Sequence, residues 1–253
     1  MHRTERVEVE AQRPDSDRDP GKAIAADGFV GPLRIWPEDR ALAMSGAAHD
    51  IGTSPSDAPK PRDRHLDNTA MRELCLDPRV VGIAAAVLGD RMVLWRSKIR
   101  IKAPGGAELP WHRDGDFDHD NGLRALEFTT APMPANCITV WLAIANCRTE
   151  HGGLRFVPGH RGVPRYGETG LHPLSLDGIN YSDAVDTPLD PGQAMVFDEF
   201  AVHGSGPNTS NVPRIGAVIR FTVPGTRLFP DSPGRDERGN PLIGYRPVHI
   251  QVR

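Results

Sequence analysis

Two residues in "WHRDGDF" (Trp111–Phe117) have the types and spacing of metal ligands: His112 and Asp114, with one residue between them. The pair alone carries little weight. With 10 His and 33 acidic residues in 253, about one His-x-Asp/Glu triplet is expected by chance. The chain supplies a decoy in "RHLDN", where His65 and Asp67 share the spacing. A metal site therefore needs a third ligand and a local structure that turns both side chains the same way.

"ELPWHRDGDF" reads as a strand running into a loop, which would aim His112 and Asp114 into one mouth. "MVFDEFAVHGSGPN" offers His203 after an apolar strand (Met195–Phe197) and a short turn. Two imidazoles and one carboxylate on one face suit ferrous iron and leave three coordination positions open. A bidentate 2-oxo acid would fill two and O₂ the third. Arg214, eleven residues after His203, could offer a planar fork to the distal carboxylate of such an acid.

The elements that must position these residues follow from the chain pattern. Ten of the first 20 residues are charged, so residues 1–22 read as a disordered tail ahead of a single domain over 23–253. "GFVGPLRI" is the first apolar cluster, and "SPSDAPKPRDR" reads as an exposed loop. Asp67–Asp90 is the best helical stretch. Asn68 or Thr69 can cap its start, Pro78 opens a second helix, Val80, Ile83, Ala84 and Val87 form a stripe, and Gly89 stops it. Beyond Asp90 come short strand-like runs: "MVLWRSKIRIK", "CITVWLAI", "LRFVPG", "AMVF" and "IGAVIRFTV". With Gly and Pro making 50 of 253 residues and no further long amphipathic helix, the pattern predicts a mainly β chain with flanking helices, built on a jelly-roll or barrel.

Bulk properties exclude several classes. A formal charge of −3 with mixed signs gives no support to a nucleic-acid or membrane-surface partner. Cys75, Cys137 and Cys147 are odd in number and lack C-x-x-C spacing, which points to thiols in a reducing compartment. No apolar leader and no 18-residue apolar run is present, so the expectation is a cytoplasmic protein without a membrane span. Oligomeric state stays open, a homodimer included.

In order along the chain, "DGFVGPLRI", "RHLDN", "VLGDRMVLWRSKIRIKAPGG", "PWHRD", "ITVWLAIANCRTEHGGLRFVPGHRG", "PGQAMVFDEFAVHGSGPN" and "PRIGAVIRF" resemble the phytanoyl-CoA dioxygenase superfamily of Fe(II)/2-oxoglutarate oxygenases. The likeness runs from about Asp27 to Phe221 and is nearest the branch of amino-acid hydroxylases and carrier-protein halogenases, N-succinyl amino acid hydroxylases among them. It implies a double-stranded β-helix (jelly-roll, cupin-like) core, iron on His112, Asp114 and His203, and Arg214 on the C5 carboxylate of 2-oxoglutarate. Trp141 would lie beside the co-substrate. A period of two places Thr139 and Ala143 on the Trp141 face of "ITVWLAI", so Thr139 joins the expected co-substrate wall. Where the family often has a hydroxyl residue three before the first His, this chain has Leu109. Halogenases of the branch carry Gly or Ala at the carboxylate position; Asp114 stands there in this chain, which implies hydroxylation.

In "LWRSKIRIK" the same period puts Arg96, Lys98, Arg100 and Lys102 on one face and Trp95, Ser97, Ile99 and Ile101 on the other. Such a basic row is either a solvated outer face or the wall of a pocket for an anion. Relatives that handle an amino group can carry Glu at the position of Lys98, so the exchange favours an anionic substrate, with Lys98, Arg100 and Arg220 as its contacts. An N-succinyl-type aliphatic amino acid hydroxylated at its β-carbon is the first candidate. A carrier-tethered aminoacyl group, a nucleotide, and a metal-hydrolase or non-catalytic barrel using the same ligands remain alternatives. Asp116, Asp118, Asp120 and Glu127 also have part of the spacing of a calcium-binding loop. Its required Gly is displaced by one, however, and Pro occupies both flanks, so "GDFDHDNG" reads better as a solvated lid. His151 and His160 flank a Gly-rich hairpin and read as structural or exposed.

Overall fold

The computed structural model describes residues 5–12, 18–53, 63–114, 135–161, 178–228 and 247–253, together with the backbone of five two-residue strand segments between 119 and 171. Eleven strands matter to the site: β1 (Glu5–Val9), β2 (Phe29–Arg34), β3 (Arg91–Lys102), β4 (Leu109–His112), β5 (Cys137–Ala145), β6 (Leu154–Arg161), β7 (Val185–Thr187), β8 (Gln193–Asp198), β9 (Ala201–Ser205), β10 (Arg214–Thr222) and β11 (Val248–Val252). A seven-stranded sheet runs β1-β11-β3-β10-β5-β8-β2, and a four-stranded sheet runs β7-β6-β9-β4. The two form the jelly-roll core that the sequence predicts.

Periodicity explains the layering. β5 is buried along its whole length, which requires cover on both faces. Ile138, Val140, Leu142 and Ile144 join a core with Ile99, Ala217 and Ile219 under the helices. Trp141 and Ala143 face the other way, toward Leu154, Phe156, Met195 and Phe197 between the sheets.

Five helices cover the outer face of the large sheet: α1 (Pro20–Asp27), α2 (Glu38–Ala43), α3 (Ser45–Thr53), α4 (Thr69–Cys75) and α5 (Pro78–Leu88). The last two match the reading of Asp67–Asp90. Asn68 accepts from the Met71 N–H, Asp77 from the Arg79 N–H, and Gly89 ends α5 with φ of 86°. The first three were not read from the sequence, although Asp19, Pro20 and Gly28 are ordinary boundary residues for α1.

The expected disordered tail is corrected in part. β1 pairs in parallel with β11, and α1 crosses the boundary placed at residue 22. Ladder bonds and the burial of Val9 supply what the charged composition lacks, while Glu5 and Glu8 pair with Arg72 and Arg253. Residues 1–4 and 13–17 lie outside the described residues, as do Ser54–Arg62 of the predicted loop. No helix among the described residues is long and apolar enough to cross a membrane.

The second correction concerns β3. Its register against β10 slips between Arg220 and Phe221, which pair with Arg96 and Leu94. The extra residue is Trp95. A bulge reverses the alternation, so Leu94 enters the helix-side core with Ile99. Trp95 instead lies with its ring 4.6 Å from the Arg96 guanidinium and 5.8 Å from that of Arg220.

The segment after β1 explains a glycine inside α5. A Cβ on Gly82 would stand 1.9 Å from the Gln12 carbonyl oxygen, and the Gln12 N–H donates to Pro78 O at 2.9 Å. Helix propensity alone favours Ala over Gly by about 1 kcal/mol. Overpacking costs about 1–3 kcal/mol and opposes it here. Gly82→Ala should therefore lower the urea midpoint of the full chain, and removal of residues 1–12 should abolish that loss. An unchanged or raised midpoint in the full chain would show that this docking contributes nothing.

Candidate active site

The two histidines meet because β9 pairs with β4: His203 and His112 are direct cross-strand partners, with ring centroids 4.3 Å apart. His112 Nδ1 lies 2.7 Å from Pro110 O and His203 Nδ1 2.9 Å from Ala201 O. A carbonyl only accepts, so each Nδ1 carries the hydrogen and each Nε2 presents a lone pair. Asp114 follows β4 by two residues, and its Oδ1 lies 3.9 Å from His203 Nε2. One potential ligand atom from each of the three residues fits within a 4.8 Å cluster.

Electrostatics fix the charge states. Burial, with His112 next, pulls His203 down to about 4; burial also lowers His112. Burial would raise the Asp114 carboxyl, but Arg220, His203 and the Thr139 hydrogen bond outweigh it and hold it at about 2. Near neutral pH the cluster thus offers two neutral imidazoles and one carboxylate, the donor set that suits Fe(II). Phe156 and Phe197 wall His203, with centroids at 5.6 and 4.6 Å.

The decoy pair lies elsewhere. His65 sits in a 3-10 turn (Arg64–Leu66) with its Nδ1 2.7 Å from Ser97 Oγ, and Asp67 accepts from Arg64. His151 is partly buried beside Glu150. The side chains of His160, Asp120 and Glu127 lie outside the described residues, as do Gly115–Asp118 and Asn121–Gly122 of the predicted lid.

Arg214 opens β10 and is buried. Its Nη1 donates to Gly152 O at 2.7 Å, and its guanidinium lies 5.2 Å from the Trp141 ring centroid. Arg214 Nε is buried with no hydrogen-bond partner among the described residues. Lys102 pairs across the sheet with Arg214 and donates to Ser205 Oγ at 2.8 Å. Burial, with Arg214 and Arg155 adding to it, lowers the Lys102 ammonium to about 8. The sequence reading placed Lys102 in the basic row and did not single out Ser205; their contact follows from strand pairing. Leu109, paired opposite Ser205, is exposed.

The register resolves the basic row of β3. Arg220, Val218, Gly216 and Arg214 pair on one side with Arg96, Lys98, Arg100 and Lys102. On the other side Arg220, Val218 and Gly216 pair with Thr139, Trp141 and Ala143. Directly paired residues share a face, so the row belongs to the inner face that carries Thr139 and Trp141. Arg96 is buried with its Nε 4.0 Å from Asp63; Lys98 is half-buried and Arg100 exposed. Two contacts go beyond the sequence reading: Thr139 donates its hydroxyl to Asp114 Oδ2 at 2.6 Å, and Arg220 pairs with Asp114 Oδ1.

Comparison with known proteins agrees with this geometry. The phytanoyl-CoA dioxygenase (PhyH) family profile matches residues 31–216. A methylphosphonate hydroxylase of Gimesia maris is 28% identical over 203 residues, covering 77% of this chain and 69% of that protein. A probable alpha-ketoglutarate-dependent hypophosphite dioxygenase of Stutzerimonas stutzeri is 27% identical over 172 residues, covering 63% and 55%, so the chain spans little more than half of that relative. The solved structure of CytC3 with Fe(II) and alpha-ketoglutarate superposes with a TM-score of 0.68 at 23% identity, over 92% of this chain and 86% of the other. Fold, cluster and profile together define the class of non-haem iron oxygenases. The chain belongs to the phytanoyl-CoA dioxygenase family, and it is a dioxygenase dependent on Fe(II) and 2-oxoglutarate.

Gly216 is a further residue that sequence reasoning passed over. A Cβ there would lie 2.4 Å from Cη2 and Cζ2 of Trp141, so the indole rests on bare backbone. Gly216→Ala should destabilise the protein by about 1–3 kcal/mol through displacement of that ring. The same substitution in a Trp141→Phe background, which lacks the clashing atoms, should be nearly neutral. Equal losses in both backgrounds, read from chemical denaturation, would dissociate Gly216 from Trp141.

Proposed function

We propose that this protein hydroxylates a small anionic substrate, with Fe(II) held by His112, Asp114 and His203 and 2-oxoglutarate anchored by Arg214 beside Trp141. One observation carries the anionic substrate: the register sets Lys98 and Arg100 on the inner face, in line with Val218, Trp141 and Gly216. Bound Fe(II) and 2-oxoglutarate would supply the oxidant that replaces a substrate hydrogen by hydroxyl, with O₂ consumed and succinate and CO₂ released.

The chain's own residues define the rest. Arg214 has a buried Nε without a hydrogen-bond partner among the described residues and a guanidinium steadied by Gly152 O and the Trp141 face, a setting for a carboxylate end. Phe156 and Phe197 keep the His203 side of the cluster apolar. The substrate anion would be met by Lys98 and Arg100, farther along the sheet from Asp114 than Arg220.

Two substrate chemistries fit these cations. A small organophosphonate is the reading favoured by the relatives, of which one is named for methylphosphonate and one for hypophosphite. An N-succinyl aliphatic amino acid, hydroxylated at its β-carbon, is favoured by the family likeness and by the basic residue at Lys98. Both combine an oxyanion with an aliphatic C–H bond in one small molecule.

Two measurements check this reading. Arg214→Ala should raise the KM for 2-oxoglutarate roughly tenfold to over a hundredfold, the loss of about 1.5–3 kcal/mol from a charge-assisted pair. The KM for the prime substrate should change much less, and the reverse ranking would exchange the two pockets. For the substrate, 2-oxoglutarate-dependent O₂ uptake is compared across methylphosphonate, 2-aminoethylphosphonate, and free, N-acetyl and N-succinyl leucine and valine. Anions should stimulate uptake and Lys98→Glu should suppress that stimulation. Turnover of free amino acids equal to that of the anions, untouched by Lys98→Glu, would sink the anionic reading.

A further inference from the structure

Both oxygens of Asp114 are held by one rung of the large sheet. Thr139 on β5 and Arg220 on β10 are direct cross-strand partners. The Thr139 hydroxyl donates to Oδ2 at 2.6 Å, while the Arg220 guanidinium donates to Oδ1. Oδ1 is also the oxygen 3.9 Å from His203 Nε2, so the two ends of the carboxylate have different surroundings. Both are tied into the sheet, and Oδ1 also faces the imidazole cluster.

Arg220 is itself fixed from behind. The Trp95 bulge sets an indole 5.8 Å from its guanidinium. Arg96 lies 4.6 Å from the same ring and 4.0 Å from Asp63. A regular β3 would have turned Trp95 to the helix side and removed this support. The arrangement spans the 3-10 turn, β3, β10 and β5, and converges on one carboxylate.

We infer that Thr139 and Arg220 are positioning residues that hold the Asp114 carboxylate in one orientation beside the two imidazoles. The inference rests on the reading of His112, Asp114 and His203 as the iron ligands. With Oδ2 held by the Thr139 hydroxyl and Oδ1 by the Arg220 guanidinium, the carboxylate is fixed where it would meet the iron together with the two histidines. Arg220, conspicuous in the sequence as a cation near the pocket, acts through Asp114 and not on the substrate.

The test is anaerobic calorimetric titration of the metal-free full-length protein with Fe(II). It compares wild type, Thr139→Val, Arg220→Met and Arg220→Lys, each also in an Asp114→Ala background. Loss of an outer partner of a metal ligand weakens metal binding by roughly tenfold to a hundredfold. Thr139→Val and Arg220→Met should each show such a loss, and Arg220→Lys a smaller one. None should add further weakening once Asp114 is Ala, a pattern that general destabilisation would not produce. If Arg220→Met fails to fold by circular dichroism, Thr139→Val decides alone, since it keeps shape and charge. Unchanged Fe(II) affinity in the folded variants overturns the inference, as does equal weakening in the Asp114→Ala background. A wild type that binds no Fe(II) overturns the ligand assignment itself and this inference with it.

Discussion

A carboxylate buried between two neutral imidazoles is the constraint around which this structure is arranged. Desolvation opposes its charge, and a buried charge persists only when paired and hydrogen-bonded. Asp114 meets that condition through Arg220 and Thr139, which are available only because β10 and β5 lie side by side in a set register. The histidines carry a milder version of the same demand. Their Nδ1 atoms are satisfied by carbonyls two residues earlier in the chain, Pro110 for His112 and Ala201 for His203. Local backbone thus orients the rings, and distant strands orient the carboxylate.

That difference in range explains what could be read from the sequence. His112, Asp114 and His203 were recognisable because residue type and the strand-loop context suffice to nominate ligands. Arg214 was nominated by its spacing from His203, and the structure buries it beside Trp141. The long strands and the α4–α5 pair follow from local patterning: period two, Asn68 and Asp77 as caps, Pro78 and Gly89 as boundaries. The partners of Asp114 were not legible, because they depend on which strands become neighbours, and β10 lies about a hundred residues beyond β4 in the chain. Arg220 and Thr139 were noticed as residues, but their contacts with Asp114 were not foreseen for that reason.

The bulge at Trp95 shows the same limit in another form. Strict alternation in "LWRSKIRIK" assigns Trp95 to the face of Ile99, and no single residue there contradicts it. The slip arises from pairing with β10, where Phe221 must enter the core with Leu94. Tertiary packing overrides a local period. The edge strand β1 is the opposite case: composition argued for disorder, yet Val7 and Val9 alternate with charged residues in a pattern compatible with a strand at a sheet edge.

The large sheet also separates stability from chemistry by residue parity. On β5 and β10, Ile138, Val140, Leu142, Ala217 and Ile219 build the helix-side core. The alternate positions carry Thr139, Trp141, Gly216, Val218 and Arg220. One face can therefore hold cations, a hydroxyl and a bare glycine, features that a core would not tolerate, because the other face supplies the apolar burial. The division is incomplete where Trp141 joins the inter-sheet cluster with Phe156 and Phe197. That cluster also walls His203, so packing between the sheets and the shape of the iron site are one set of contacts. The inner face leaves this cluster at Lys98 and Arg100 on β3, where the sheet carries charge to its half-buried and exposed positions while the opposite face of the same strand stays in the core through Ile99.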